Sequence, residues 1–398
     1  MRQRVVFANR MLRLSGARFG IRIALRPLLL QGLLGLLALV LAGACLLVGD
    51  YSLTPGQVLD VFLGGRSFAR VVVLEWRLPA AASAVVFGAL LGIGGGIFQS
   101  LTRNPLGSPD IIGFDAGAHT AVVMGILLFG ARAQGAIAVA AVAGGLLAAF
   151  VVHLLSGRTT TGFRLIVVGL AVSAALGAIN AYLVTRARVE DAMLVGFWGA
   201  GSLTRIEAGS LPMWLGAAAV LLVSAGLLAP SLGIIELGDQ TAGALGIQLE
   251  PRRAILVVVG VAASAVVTAA AGPIGFVALA APQVARRLMR TPGISIAGAA
   301  TTGAVLLSAA QLCSALASSS NRPVPVGLIT VSVGGLYLIY LLVREGRRSA
   351  CPPPVGCEPT GRGSATATAS SPAAWTLRSS MRSSPPWWDR TAAASRRC

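Results

Sequence analysis

Asp115 and His119 stand four residues apart, one helical turn, near the start of an apolar stretch. An ion-driven carrier needs ionisable groups of this kind at mid-membrane, because its site must bind and release charge. The pair reads either as a polar site facing a pore or as a cap on the inner end of its helix. His153 closes another apolar run and is expected at an interface. The other acids fall almost entirely in hydrophilic connections or in the C-terminal tail, so neither paired carboxylates nor a Ser/His arrangement emerges. Cys45, Cys313, Cys351, Cys357 and Cys398 follow no metal-ligand spacing with the two histidines. Cys45 and Cys313 lie in apolar runs, where a free thiol acts as a small hydrophobe.

All 32 basic residues are arginine. A phosphate-binding P-loop needs a lysine to reach the terminal phosphates, and Schiff-base chemistry needs a lysine amine, so both are excluded. The chain is therefore expected to carry no catalytic residue, no metal and no cofactor, and not to hydrolyse ATP by the usual route. A net charge of +18 is compatible with nucleic-acid binding. The arginines, however, are spread in twos and threes between apolar segments and gather on no single face, so nucleic acid is not an expected partner.

The elements that would position these residues are membrane helices. Hydrophobic residues make up 55% of the 398 and charged residues 12%, with a mean hydropathy of +0.80, where a soluble domain averages about 25% charged residues. Uncharged apolar runs of membrane-crossing length, about 20 residues, recur along the chain. The pattern predicts an all-α polytopic membrane protein with about ten transmembrane helices, at 27–49, 78–98, 111–130, 134–155, 164–185, 210–232, 254–271, 273–289, 294–313 and 325–343. Pro273 and Pro282 interrupt the eighth. Residues 1–26, with seven arginines and no acid, form a cytoplasmic N-terminus. Leu41 to Cys45 is similar to a lipoprotein cleavage site, but the apolar run before it is too long for a signal peptide, so a retained first span is expected. Residues 27–348 form the transmembrane domain. Residues 349–398, rich in Pro, Ser, Thr and Arg without periodicity, read as a disordered low-complexity tail and as an out-of-frame extension. Ten crossings return the C-terminus to the inside; inner segments then hold eighteen arginines and outer segments eight, as the positive-inside rule requires.

Three stretches go beyond apolar helix. The first begins Arg77-Leu78-Pro79, continues through Ala84, Gly88, Gly92 and Gly96 on one helical face, and ends in Gln99-Ser100-Leu101-Thr102-Arg103-Asn104-Pro105-Leu106-Gly107-Ser108-Pro109-Asp110. Small residues at four-residue spacing let another helix approach closely, and the Asn-Pro and Ser-Pro pairs demand a structured loop before Ile111. The second is Leu237-Gly238-Asp239-Gln240-Thr241-Ala242-Gly243-Ala244-Leu245-Gly246. Its small residues suit seating in a partner's groove, and Asp239 near a helix start favours the dipole. The third, Gly272-Pro273-Ile274-Gly275-Phe276 through Pro282-Gln283 to Arg287, should be a bent or shortened helix whose neighbours satisfy its backbone.

Together these stretches resemble the iron-siderophore and cobalamin permease family of ABC importers, the FecCD type, over roughly residues 25 to 348. Phe197 to Leu203 and Pro325 to Tyr337 are similar to the second permease subunit of ferric enterobactin importers, and Gln283, where much of the family has His, fits the catecholate branch. The resemblance implies a type II ABC importer permease architecture and a pore moving ferric siderophore across the inner membrane; cobalamin or haem within the family, or an ion-coupled carrier outside it, are the alternatives. It further implies a heterodimer with a related permease, a separate ATP-binding subunit holding ATP and Mg, and a periplasmic or lipid-anchored binding protein. Leu237, Gly238, Asp239, Gln240, Ala242, Gly243, Leu245 and Gly246 match the family's ATPase-coupling segment, two short helices joined at a Gly. Arg77 matches an arginine that meets acidic residues of the binding protein. A second such Arg is Ala80 here, and a third, missing near Leu316, is replaced by Arg322. Gly88, Gly92, Gly96, Asn104, Pro105, Gly272, Pro273, Gly275, Phe276 and Pro282 are the candidate packing and pore positions.

Overall fold

The structure, a computed structural model, describes residues 11–16, 19–65, 68–110, 113–157, 162–291, 293–318 and 323–349. Arg322 and the 350–398 tail lie outside them. A short antiparallel hairpin, β1 (Met11–Gly16) and β2 (Phe19–Ala24), precedes the helices. Its alternation of Leu or Ile with Arg has period two and suits a strand, and the described residues are otherwise helices and their connections.

Each expected span contains one helix. They are α1 (Leu25–Leu47), α4 (Leu78–Thr102), α5 (Phe114–Phe129), α6 (Gln134–Ser156), α7 (Gly162–Arg186), α9 (Leu211–Glu236), α11 (Leu249–Ala271), α12 (Val277–Met289), α13 (Ile296–Ala317) and α14 (Val326–Ser349). Between them lie short helices: α2 (Pro55–Phe62), α3 (Phe68–Val71), α8 (Val189–Gly199) and α10 (Asp239–Ala244). Seven helices among the described residues are long and apolar enough to cross a membrane, with α3 and α4 joined as one; α5 and the Val326–Tyr337 part of α14 are shorter apolar helices. At 13 residues, α12 is about 20 Å long and falls short of a full crossing. Glycine, proline and the left-handed Phe276 before it hold the preceding five residues out of helix.

The second span also starts earlier than predicted. A π-helical turn, Val72–Arg77, joins α3 to α4. Pro79 sits in the first turn of α4, where its missing N–H is tolerated. From there α4 runs through the middle of the bundle, packed by α13, α12, α11 and α9. Its buried residues anchor a core with Leu203, Ala263, Val267, Ile274 and Leu307.

Candidate functional site

What sets α4 apart is missing side chain. A Cβ on Gly88 would overlap the Gly303 carbonyl of α13, one on Gly92 the Ala299 carbonyl, and one on Gly95 the Ala278 carbonyl of α12. Gly96 is less tight, its Cβ position 3.3 Å from Ile294. Pro282 lacks the N–H that would bond Ala278, and it is against this freed carbonyl that Gly95 lies. Gln99 extends the seam by donating to the Leu279 carbonyl of α12 at 2.9 Å.

Beyond Thr102 the chain turns back into the bundle. Arg103 is left-handed (φ 50°), Asn104 accepts from the Leu106 N–H at 2.9 Å, and Gln283 of α12 donates to the Pro105 carbonyl at 2.7 Å. Pro109 then packs beside Gly94, two turns back along α4. Non-helical backbone at this depth is tolerated only inside protein, and Gly107, Ser108 and Pro109 are buried. The helix that follows, α5, therefore starts within the bundle. Asp115 lies in its first turn and accepts from Thr268 Oγ1, near the far end of α11, at 3.1 Å. His119 instead stacks on Trp198 of α8, ring centres 5.9 Å apart. Asp115 and His119 each have another neighbour, and the helix start that Asp115 occupies is interior.

At the end of the bundle where α4 stops, three elements meet on carboxylates. Asp239 accepts from Arg103 and from Arg253 of α11, both at 2.6 Å. Glu236, the last residue of α9, accepts from Ser100 of α4 and from the Ile294 N–H before α13. The Leu237–Gly246 segment projects here as α10 alone. Ala242 is its buried contact, Leu237 and Leu245 are exposed at 65% and 60% on either side, and Gln240 and Gly243 also face outward. Gly238 (φ 112°) and Gly246 (φ 81°) make the turns at its ends, with open space around both. The expected second short helix is instead the first turn of α11, where Pro251 is tolerated near the helix start.

The opposite end is built on backbone. Gly272 (φ 81°) and Gly201 (φ 67°) bring the chain after α11 so close to the end of α8 that a Cβ on Gly272 would strike the Trp198 carbonyl and one on Gly201 the Pro273 carbonyl. Ser202 N–H donates to the Ala271 carbonyl at 2.7 Å and Gly327 N–H to the Gly201 carbonyl at 3.1 Å. Within this crossing the Pro273 carbonyl faces Gly201, Gly275 lies near Val331 of α14, and the left-handed Phe276 (φ 70°) covers Gly334. Arg77 donates to the carbonyls of Leu46 at 2.9 Å and Tyr51 at 2.6 Å. Its guanidinium thus satisfies carbonyls at and beyond the end of α1.

Asp239 and Gly88, Gly92, Pro105, Gly272 and Phe276 are brought into contacts between elements. Arg77 is held against the end of α1 and the loop that follows it. Glu236, Gln99, Arg103 and Trp198 carry contacts that sequence reasoning did not assign; the available signal was a lone polar group within or closing an apolar run.

Residues 36–344 match the FecCD transport family. The ferric enterobactin transport system permease protein FepG of Escherichia coli strain K12 is 42% identical over 78% of this chain and 96% of its own. FepD, the ferric enterobactin transport system permease protein of the same strain, is 34% identical over 82% and 98%. The iron(3+)-hydroxamate import system permease protein FhuG of Bacillus subtilis strain 168 is 33% identical over 80% and 98%. A solved structure, described as an inward-facing conformation of a metal-chelate type ABC transporter, shares the fold at a TM-score of 0.66 and 24% identity, covering 80% of this chain and 99% of that one. With its glycine-seamed central helix, re-entrant loop and projecting α10, the chain belongs to the FecCD transport family.

Proposed function

We propose that this chain is the membrane permease of an ABC importer for a ferric siderophore of the catecholate, enterobactin type. The observation that carries the reading is the 42% identity to FepG across 96% of that protein. In this reading both termini face the cytoplasm of a bacterial inner membrane, which puts α10 inside and Arg77 outside, in line with the excess of arginine on inner segments. A second, related permease completes the pore, and a periplasmic or lipid-anchored protein delivers the complex. The ATPase subunit, not this chain, holds ATP and Mg.

The geometry supplies a route for force. α10 offers Leu237 and Leu245 to a partner cleft, and Asp239 ties its first turn to Arg103 at the end of α4 and to Arg253 on α11. Movement of α10 would reach α4 and the re-entrant loop directly. The seam at Gly88, Gly92 and Gly95 would carry it to α12 and α13 as one body, because backbones in contact have no slack to absorb it. Walls nearly free of charge suit a bulky solute whose selection rests with the binding protein.

Uptake of radiolabelled ferric complexes in a strain lacking this chain tests the reading. Restored uptake of ferric enterobactin that also requires the ATPase gene is the expected result. Uptake that persists without the ATPase and collapses with the ion gradient would replace it by ion-coupled transport, and restored cobalamin or haem uptake alone would change the cargo. Gly246→Val tests the coupling segment. The site is open but left-handed, so the substitution strains α10 locally, by about 1–2 kcal/mol. The expected outcome is normal membrane insertion with uptake reduced tenfold or more.

A further inference from the structure

The two sides of the α10 end of the bundle hold their arginines differently. On one side, Arg103 and Arg253 share Asp239. On the other, the end of α12 carries Arg286, Arg287 and Arg290 and the start of α1 carries Arg26, all four exposed and, among the described residues, in no ion pair. Gln31, in the second turn of α1, donates to Ser295 Oγ at 3.2 Å and reaches Met289 Sδ at 3.8 Å, so these two helix ends lie side by side. Arg287 is steadied by donating to the Tyr337 hydroxyl of α14 at 3.4 Å, which leaves most of its donors free. The chain brings almost no negative charge to this side. No acid precedes Asp50 and none lies between Glu250 and Glu345, so α1, α12 and α13 contain none, and Glu345 itself stands among Arg344, Arg347 and Arg348. Glu236 of α9 comes near but is taken by Ser100 and the Ile294 N–H. The dipole of α12 supplies about half a negative charge at its end, too little for three guanidiniums. Beside the arginines the surface is apolar. Leu29, Leu33, Leu36 and Val40 follow Arg26 along one face of α1, each at least 59% exposed, and Leu288 is exposed between the arginines of α12.

We propose that this corner binds an anionic phospholipid of the inner leaflet, its phosphate on the arginines of α12 and α1 and its acyl chains along the leucine stripe of α1. The leaflet rests on the orientation proposed above; the lipid class rests on the chemistry of the patch. The positive-inside rule accounts for arginine at this end, but not for arginines of two separate helices gathered without acids at the head of an apolar face. A guanidinium takes two oxygens of a phosphate at once, and a ligand with an anionic head and an apolar tail matches both parts of the surface. The ATPase subunit would match the head alone, and the segment that projects toward it, α10, belongs to the side where Asp239 pairs the arginines.

The test uses the full-length chain alone, purified in detergent, so that it does not depend on the importer's partners. Phosphatidylglycerol, cardiolipin and phosphatidylcholine are titrated in turn, and the lipid retained per chain is counted by native mass spectrometry. One anionic lipid per chain is expected, with phosphatidylcholine at background. Arg286→Gln/Arg290→Gln, purified as a single species at wild-type yield, should weaken retention about 25-fold, at roughly fivefold for each arginine. Arg70→Gln/Arg188→Gln removes two exposed arginines of the opposite end and should leave retention unchanged. Cardiolipin held more tightly than phosphatidylglycerol, with the difference lost in Arg26→Gln, would place a second phosphate on Arg26. Unchanged retention in Arg286→Gln/Arg290→Gln would overturn the proposal, and equal loss in both double variants would do the same by reducing the effect to net charge. So would displacement of the lipid by the ATPase subunit, which would make the patch a protein-docking surface. If the chain retains the lipid as expected yet forms a complex with no ATPase subunit, the importer reading fails and the lipid site stands.

Discussion

α4 and α7 are each 25 residues long and closely similar in hydropathy, yet 78% of the most apolar window is buried in the segment containing α4 and 11% in α7. In water such a difference would follow from which residues are apolar. In a membrane it cannot, because lipid is as good a solvent for Leu as a protein core. The difference lies in what apolar counts overlook. α4 replaces side chains by hydrogen at Gly88, Gly92 and Gly95, so backbones of α12 and α13 can touch it, and it carries Gln99 to bond α12 and Ser100 to bond Glu236 of α9. Gly177 of α7 has nothing within 4 Å. Glycine has opposite meanings in the two helices, contact in one and bare surface in the other.

Gly95→Val should break the comparison most severely. Its Cβ would overlap the Ala278 carbonyl, a backbone group fixed beside Pro282. The expected cost is about 3 kcal/mol, the upper end for overpacking, read as loss of monodisperse protein in detergent and early denaturant unfolding; wild-type stability would mean the two helices are not in contact. Next comes Gln99→Leu, which removes the donor to the Leu279 carbonyl while keeping bulk. An effect of about 1–2 kcal/mol is expected. Asp239→Asn should cost under about 1 kcal/mol in stability, because its partners are about half and a quarter exposed. Its effect should lie in coupling: ATP hydrolysis by the assembled transporter continues while uptake falls. Equal loss of both would assign Asp239 to assembly instead.

How much of this was legible depended on which physics the residues report. Length and hydropathy place helices well, since every span must hide about 20 peptide units from lipid. The glycine stripe was visible for the same reason, although Gly95, next to it, makes the closest approach. The position of α5 was not legible. Asp115 sits at a helix start, but that start lies beside Thr268 inside the bundle and not at the membrane surface, a fact set by the re-entrant loop. Arg77 likewise looked like an outward charge, and its hydrogen bonds to Leu46 and Tyr51 depend on how the loop after α1 folds. The binding role of an arginine depends on what is left over after such contacts, and sequence cannot count them. Of the two short helices that the resemblance implies after α9, the first is α10 and the second merges with α11, because a proline in the first turn does not break a helix.

Gly177→Val gives the smallest expected effect and the sharpest use of the comparison. With open space around it, the added side chain should shift the stability of the isolated chain by no more than about 0.5 kcal/mol, and the gain in rotamer stiffness is minor in a helix already formed. The informative measurement is therefore made twice, on the chain alone and on the assembled transporter. No change in either state means that this face of α7 meets lipid. A loss seen only on assembly means the sister permease lies against it, and then α7 differs from α4 in when its backbone contacts form, not in whether they do.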